Sequence, residues 1–149
     1  MNDLAKILGI DEAKVNIKSI NDHAISFYIQ TDVKTHSCPN CNVLTFKVHD
    51  YRMQKIKDIP LHNKSCILFL KKRRYHCSHC GKHFYESYPF IAKYLHRTSR
   101  LTRWIASSFF DTLNIQQIAN RANVSSHTVY QVLSTIHHSS SNLGEAISI

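Results

Sequence analysis

"RRYHCSHCGKHFYE", residues 73–86, places two cysteines two residues apart between a block of positive charge and a run of aromatics. Such a pair is half of a metal site, a redox couple or an accident of composition, and the rest of the chain decides among these. A second pair, Cys38 and Cys41, stands upstream in "SCPNC". In Cys-x-x-Cys two sulfurs approach one cation from a tight turn. Two such turns supply four thiolates at the corners of a tetrahedron, the closed arrangement of a structural zinc site. Gly81 follows Cys80 and can take the positive φ that aims backbone N–H groups at sulfur. Asn42 holds the equivalent place after Cys41, and asparagine tolerates that conformation well. Pro39 pre-sets the first turn.

The 35 residues between the pairs (42–76) suit two strands that return the second turn beside the first. A redox couple needs a reactive pair at a helix N-terminus, and here a strand end precedes it. Four thiolates leave zinc no position for water, so one zinc per chain is expected to hold structure and not to catalyse. No His-x-Glu or Cys-x-Glu motif occurs. Cys66, within the apolar run "CILFL", reads as a buried core thiol. His79 and His83 read as surface or supporting residues, with His83 the alternative to a cysteine ligand.

The 149 residues carry a net charge of +9, unevenly spread. Lys47 to Arg103 holds 14 Lys/Arg against three acids, a balance of +11, and the flanks total −2. A basic body with near-neutral flanks suits a polyanion, nucleic acid first among them, with a merely solubilising surface as the alternative. No apolar run approaches the roughly 20 residues that span a bilayer. The acidic start "MNDLAKILGIDEAKV" does not read as a secretory signal, so a cytoplasmic protein without a membrane partner is expected.

Residues Leu4 to Leu8 suggest a short helix. "AKVNIKSI" and "HAISFYIQ" read as strands joined at Asn21-Asp22. "KSCILFLKKRRYHC" reads as a long strand, apolar on both faces at first and basic later, with Pro60 and Asn63 marking the turn before it. After Pro89 the pattern becomes helical. Thr98 and Ser99 offer an N-cap, and Leu101, Ile105 and Phe109 recur at helical spacing. In "IQQIANRANVSSHTVYQVL" Ile115, Ile118 and Ala119 give a short amphipathic helix, Asn123 a left-handed turn and Val124 a corner plug. Ser125 caps a second helix with Val129, Val132, Leu133 and Ile136 inward. This is the pattern of a helix-turn-helix, although ordinary bundles produce it too.

The expected fold class is α+β: a small zinc-ribbon-like β domain followed by an all-α helix-turn-helix domain. The expected divisions are 1–35 (helix and hairpin), 36–92 (zinc-binding β domain), 93–138 (helix-turn-helix) and 139–149 (tail or linker). Ser126, His127, Thr128, Tyr130 and Gln131 then face DNA at the start of the second helix, Gln131 being suited to paired hydrogen bonds with adenine. From Trp104 onward the only basic residue is Arg121. Phosphate contacts are therefore expected from Lys71, Lys72, Arg73 and Arg74 and from Arg97, Arg100 and Arg103.

The order Cys-Pro-x-Cys, "YRMQKIKDIP", "LFLKKRRYHCSHCGKHFYE", "HRTSRLT" and a helix-turn-helix resembles the N-terminal region of the ISL-three family of bacterial insertion-sequence transposases, over roughly Cys38 to Ile136. The resemblance implies a zinc finger and helix-turn-helix that recognise the element's terminal inverted repeats in double-stranded DNA. It also implies a later RNase H-like domain whose three carboxylates cut and join DNA through two metal ions. After Arg103 this sequence has only Asp111 and Glu145 as acids, so no such triad is present. Asn42 replaces the family's usual glycine. The expected function is thus a zinc-stabilised, sequence-specific DNA-binding module of a transposase, truncated before its catalytic domain and not an enzyme by itself. Its expected protein partners are a second copy or an intact transposase. The alternative is a free-standing transcriptional regulator or transposition repressor.

Overall fold

The computed structural model describes residues 3–10, 12–111 and 114–146, with side chains through 137. A short helix α1 (Asp3–Leu8) leads into an antiparallel hairpin, β1 (Ala13–Ile20) and β2 (Ala24–Thr31). Asn21 makes the turn: its side-chain oxygen accepts from the N–H groups of His23 (2.9 Å) and Ala24 (2.8 Å). A two-stranded ribbon, β3 (His36–Ser37) and β4 (Leu44–Thr45), follows. Two long strands come next, β5 (Val48–Leu61) and β6 (Lys64–His76), and then the short β7 (His83–Tyr85). His62 and Asn63 join β5 to β6, both left-handed (φ 49° and 59°), which is the two-residue turn that matches strand twist.

The sheet order is β1-β2-β6-β5, with β7 paired to the end of β6. Parallel pairing of β2 with β6, Ala24–Ile29 against Ser65–Leu70, merges the N-terminal hairpin and the cysteine-bearing strands into one sheet. Alternate residues of its inner face (Val15, Phe27, Ile29, Ile56, Leu68, Leu70) bury against Ala5 and Leu8 of α1. Cys66 belongs to that core, as the sequence suggests, and burial pushes its thiol up to about 12. Past Leu70 burial passes to the opposite face of β6, where Arg73 and Tyr75 are covered by the connector from Thr31 to His36.

The helical part comprises α2 (Ser99–Ser108), a 3₁₀ turn (Phe109–Asp111), α3 (Ile115–Ala122) and α4 (Ser126–Ala146), so the chain has a mixed α+β fold. Thr98 caps α2, accepting from Leu101 N–H. Asn114 and Gln117 form a capping box on α3. Leu101, Ile105, Ile118, Ala119, Ala122, Val129 and Val132 form a second core. Leu133 is half-buried and Ile136, expected inward, is 39% exposed; neither belongs to the fully buried core. The backbone of α4 stays helical through Ala146, beyond the point where composition suggests a frayed tail; residues 147–149 of that tail lie outside the described residues.

The two parts are locked together at β5. Lys57 N–H donates to His96 O and its carbonyl accepts from Thr98 N–H. Beside it the Asp58 carboxylate, fully buried, takes Thr98 Oγ1 (2.6 Å) and both Nε (2.8 Å) and Nη2 of Arg100. Arg100 Nη1 reaches on to Ile7 O (3.0 Å). One carboxylate thus ties β5, the cap of α2 and α1. Asp58→Asn is expected to lower stability by about 1.5–3 kcal/mol, the range for a hydrogen bond to a charged group, read from urea unfolding. A change within about 0.5 kcal/mol, the usual range for an unconstrained surface site, would show that the junction does not depend on this carboxylate.

Candidate metal centre and basic surfaces

The two Cys-x-x-Cys turns are built alike. Cys38 N–H donates to Val43 O and Asn42 N–H to Cys38 O; Cys77 N–H donates to Lys82 O and Gly81 N–H to Cys77 O, all at 2.9–3.0 Å. Asn42 (φ 61°) and Gly81 (φ 72°) both take the left-handed conformation expected of them. Thr45 Oγ1 donates to His76 O (2.9 Å), setting the first turn beside the second.

The four sulfurs lie within 4.8 Å of one another. The closest approaches run between the turns, Cys38 to Cys80 at 3.6 Å and Cys41 to Cys77 at 3.5 Å. A tetrahedron with Zn–S bonds of about 2.3 Å has sulfurs about 3.8 Å apart, so this donor set fits zinc with little adjustment. The Lys82 N–H, and then the Asn40 side chain, bring Cys80 down to about 6. Against the pull of the Val43 N–H, desolvation and the neighbouring sulfurs push Cys41 up to about 12. His79 is exposed, and His83 sits across from His76 with its ring 4.4 Å from that of His49.

The basic residues expected to meet DNA divide into distinct groups. Arg73 is 1% exposed. Its Nη1 contacts Glu86 Oε2 (3.0 Å), Thr31 Oγ1 (2.9 Å) and Asp32 O (3.1 Å), and its Nη2 contacts Thr31 O. It is therefore a buried structural cation and not a surface contact. Arg100 is bound to Asp58 through Nε and Nη2, with its side chain 24% exposed. Arg97 is half-buried with Nε on Thr102 Oγ1 (3.0 Å), and burial lowers its pKa. Arg103 is exposed. Lys72 and Arg74 share one face with Arg52, which lies directly opposite Lys72, and all three cations surround the Tyr85 ring at 5.1–5.9 Å. Lys71 points to the other face, over Tyr51 at 4.5 Å. Sequence reasoning did not single out Arg52, because only strand register reveals its neighbours.

On the helices, Asn123 takes the left-handed conformation between α3 and α4 (φ 54°), and Ser125 Oγ accepts from Thr128 N–H. Lys57 Nζ donates to Asn123 O (2.7 Å), placing the turn against β5. Ser126 Oγ bonds Gln116 Oε1 (3.1 Å) and Thr128 Oγ1 lies 3.1 Å from Ser125 Oγ, so both hydroxyls brace the corner. His127, Tyr130 and Gln131 are exposed along one stripe, with Gln131 Nε2 3.2 Å from His127 Nε2.

Residues 34–80 match the family model described as the zinc-finger of transposase IS204/IS1001/IS1096/IS1165. The chain is also similar to the transposase for insertion sequence element IS1001 of Bordetella parapertussis, 26% identical over 105 residues. That alignment covers 70% of this chain and 26% of the relative, so the chain spans about a quarter of the length of the curated relative it matches. No solved structure matches. A zinc-ribbon sequence coinciding with four converging sulfurs gives the chain one structural zinc.

Proposed function

We propose that this chain is a zinc-stabilised module that recognises the terminal inverted repeats of a mobile DNA element on behalf of a transposase, and that the cutting and joining chemistry lies outside it. The coincidence of the transposase-type zinc-finger match with the four-sulfur cluster carries this reading. Cys38, Cys41, Cys77 and Cys80 would hold the metal, which supplies a fixed cross-link and no open coordination position.

In this reading α3 and α4 form a helix-turn-helix, with α4 entering the major groove at its N-terminal end. His127, Tyr130 and Gln131 reach base edges, while Ser126 and Thr128 hold the corner that aims them. Because α4 has no Lys or Arg up to Ala146, phosphates are gripped by the sheet: Lys72, Arg74 and Arg52 around Tyr85, together with Arg103. Selection from a random duplex pool by zinc-loaded protein is the direct test. Enrichment of one sequence that recurs inverted at the ends of the encoding element supports the reading, and an unselected pool rejects it.

Gln131→Ala is expected to leave the fold intact and cost about 1–3 kcal/mol at one base pair of the selected site, measured against single-base variants of that duplex. Equal weakening on every variant would remove α4 from the role of reader.

A further inference from the structure

The outer face of the sheet carries a second cationic surface. Register sets it: β6 turns Ile67, Phe69 and Lys71 outward, opposite Lys57, Lys55 and Met53 of β5, while Leu68 and Leu70 go to the core. Across β2, the bulge in β1 at Lys18 frees that side chain to reach over the neighbouring strand, and its Nζ lies 3.5 Å above the Phe69 ring. Lys71 stands over Tyr51 in the same manner. The paired strand residues of this face include no acid; Asp32, just past β2, pairs with Lys14 at the margin (3.3 Å).

We infer that this face, built jointly by the N-terminal hairpin and the zinc-bearing strands, binds the sugar–phosphate backbone of duplex DNA beside the site read by α4. Three observations point to phosphate rather than to stacked bases. The cations lie on the rings, so Phe69 and Tyr51 are already covered and serve to hold ammonium groups in place. Lys18, Lys55 and Lys71 are spread over three strands, a platform and not a slot. Lys57, at one end of the face, bonds the Asn123 carbonyl at the corner before α4, so the platform continues into the proposed reading helix. The hairpin lies wholly before residue 34, outside the matched zinc finger, and so adds contacts that the zinc-finger match does not assign.

This inference rests on the DNA-binding reading above, and one experiment separates the two. Binding of the full chain to a mixed-sequence duplex is measured against salt for the wild type and for Lys18→Gln/Lys55→Gln/Lys71→Gln, in which the aliphatic stems remain. Zinc content and urea midpoint confirm that the variant is folded. Each lost phosphate contact lowers the log–log salt slope by about 0.9, so the triple variant is expected to lose about 2.7 from the slope and on the order of 100-fold in affinity at about 0.1 M salt. An unchanged slope and affinity in the variant overturn the platform and leave the DNA-binding reading standing. Absence of duplex binding by the wild type overturns both. Loss confined to a single-stranded probe overturns the duplex assignment in favour of a strand-binding face.

Discussion

Removing zinc from this protein, by chelation or by Cys77→Ser, is expected to unfold residues 36–47 and 77–85, β7 included, while strands β1, β2, β6 and β5 of the main sheet persist. The reason lies in where apolar side chains are. The β3–β4 ribbon has two residues per strand and β7 has three, and apart from the cysteines the buried groups beside them amount to Thr45, Tyr75 and the polar Arg73–Glu86 pair. Neither strand set contributes to the two hydrophobic cores. Metal ligation takes the place of a core there, and apparent binding energies of about 10–16 kcal/mol at pH 7 make its loss far larger than any single side-chain contact. The sheet, in contrast, has Val15, Phe27, Ile29, Leu68 and Leu70 buried under α1 and does not need the ion. Hydrogen exchange on the chelated protein should therefore show protection lost around Cys38 and Cys77 and kept at Leu68. Retained protection across residues 36–47 would show that the ribbon stands without metal. Because the ion binds thiolates, protons compete with it. Occupancy therefore falls as pH falls.

What the sequence made legible is what depends on near neighbours. The Cys-x-x-Cys spacing, the left-handed residues after each pair, the Asn21 turn, the Thr98 cap and the Asn123 corner are each decided within a few positions, and each is read directly from residue type. What it hid depends on pairing between distant segments. Nothing local says that Ala24 will lie beside Ser65, so the hairpin's place in the same sheet as the basic strand, and with it Lys18 over Phe69, is invisible in one dimension. The run Lys71 to Arg74 looks uniform, yet strand alternation sends Lys72 and Arg74 to one face and Lys71 and Arg73 to the other. The connector from Thr31 then covers only Arg73. Arg100 is likewise indistinguishable from Arg103 until Asp58, 42 residues earlier, is placed against it.

Arg73→Ala is expected to destabilise the protein by about 3–5 kcal/mol, the cost of leaving a buried charge without its partner. Glu86, 6% exposed, would keep only the Tyr88 hydroxyl (2.8 Å) and His36 Nε2 (3.5 Å) against its carboxylate. Burial, reinforced by Glu86, holds the Tyr88 phenol above its ordinary pKa, so it stays a neutral donor and cannot replace the lost cation. The connector would also lose the guanidinium that fastens Thr31 and Asp32, and this connector is what carries the chain from the hairpin to the first zinc turn. A surface phosphate contact would behave in the opposite way: stability unchanged and affinity for DNA reduced. Urea unfolding and duplex binding of the same variant therefore distinguish the two roles, and a stability change within about 0.5 kcal/mol would return Arg73 to the surface. A double replacement supplies the internal control. With Arg73→Met and Glu86→Leu made together no charge is left unpaired, so the pair should be more stable than either single variant, as buried ion pairs exchanged whole for apolar groups commonly are. If the double variant is instead worse than both, the pair contributes through directional bonds to Thr31 and Tyr88, which apolar side chains cannot supply.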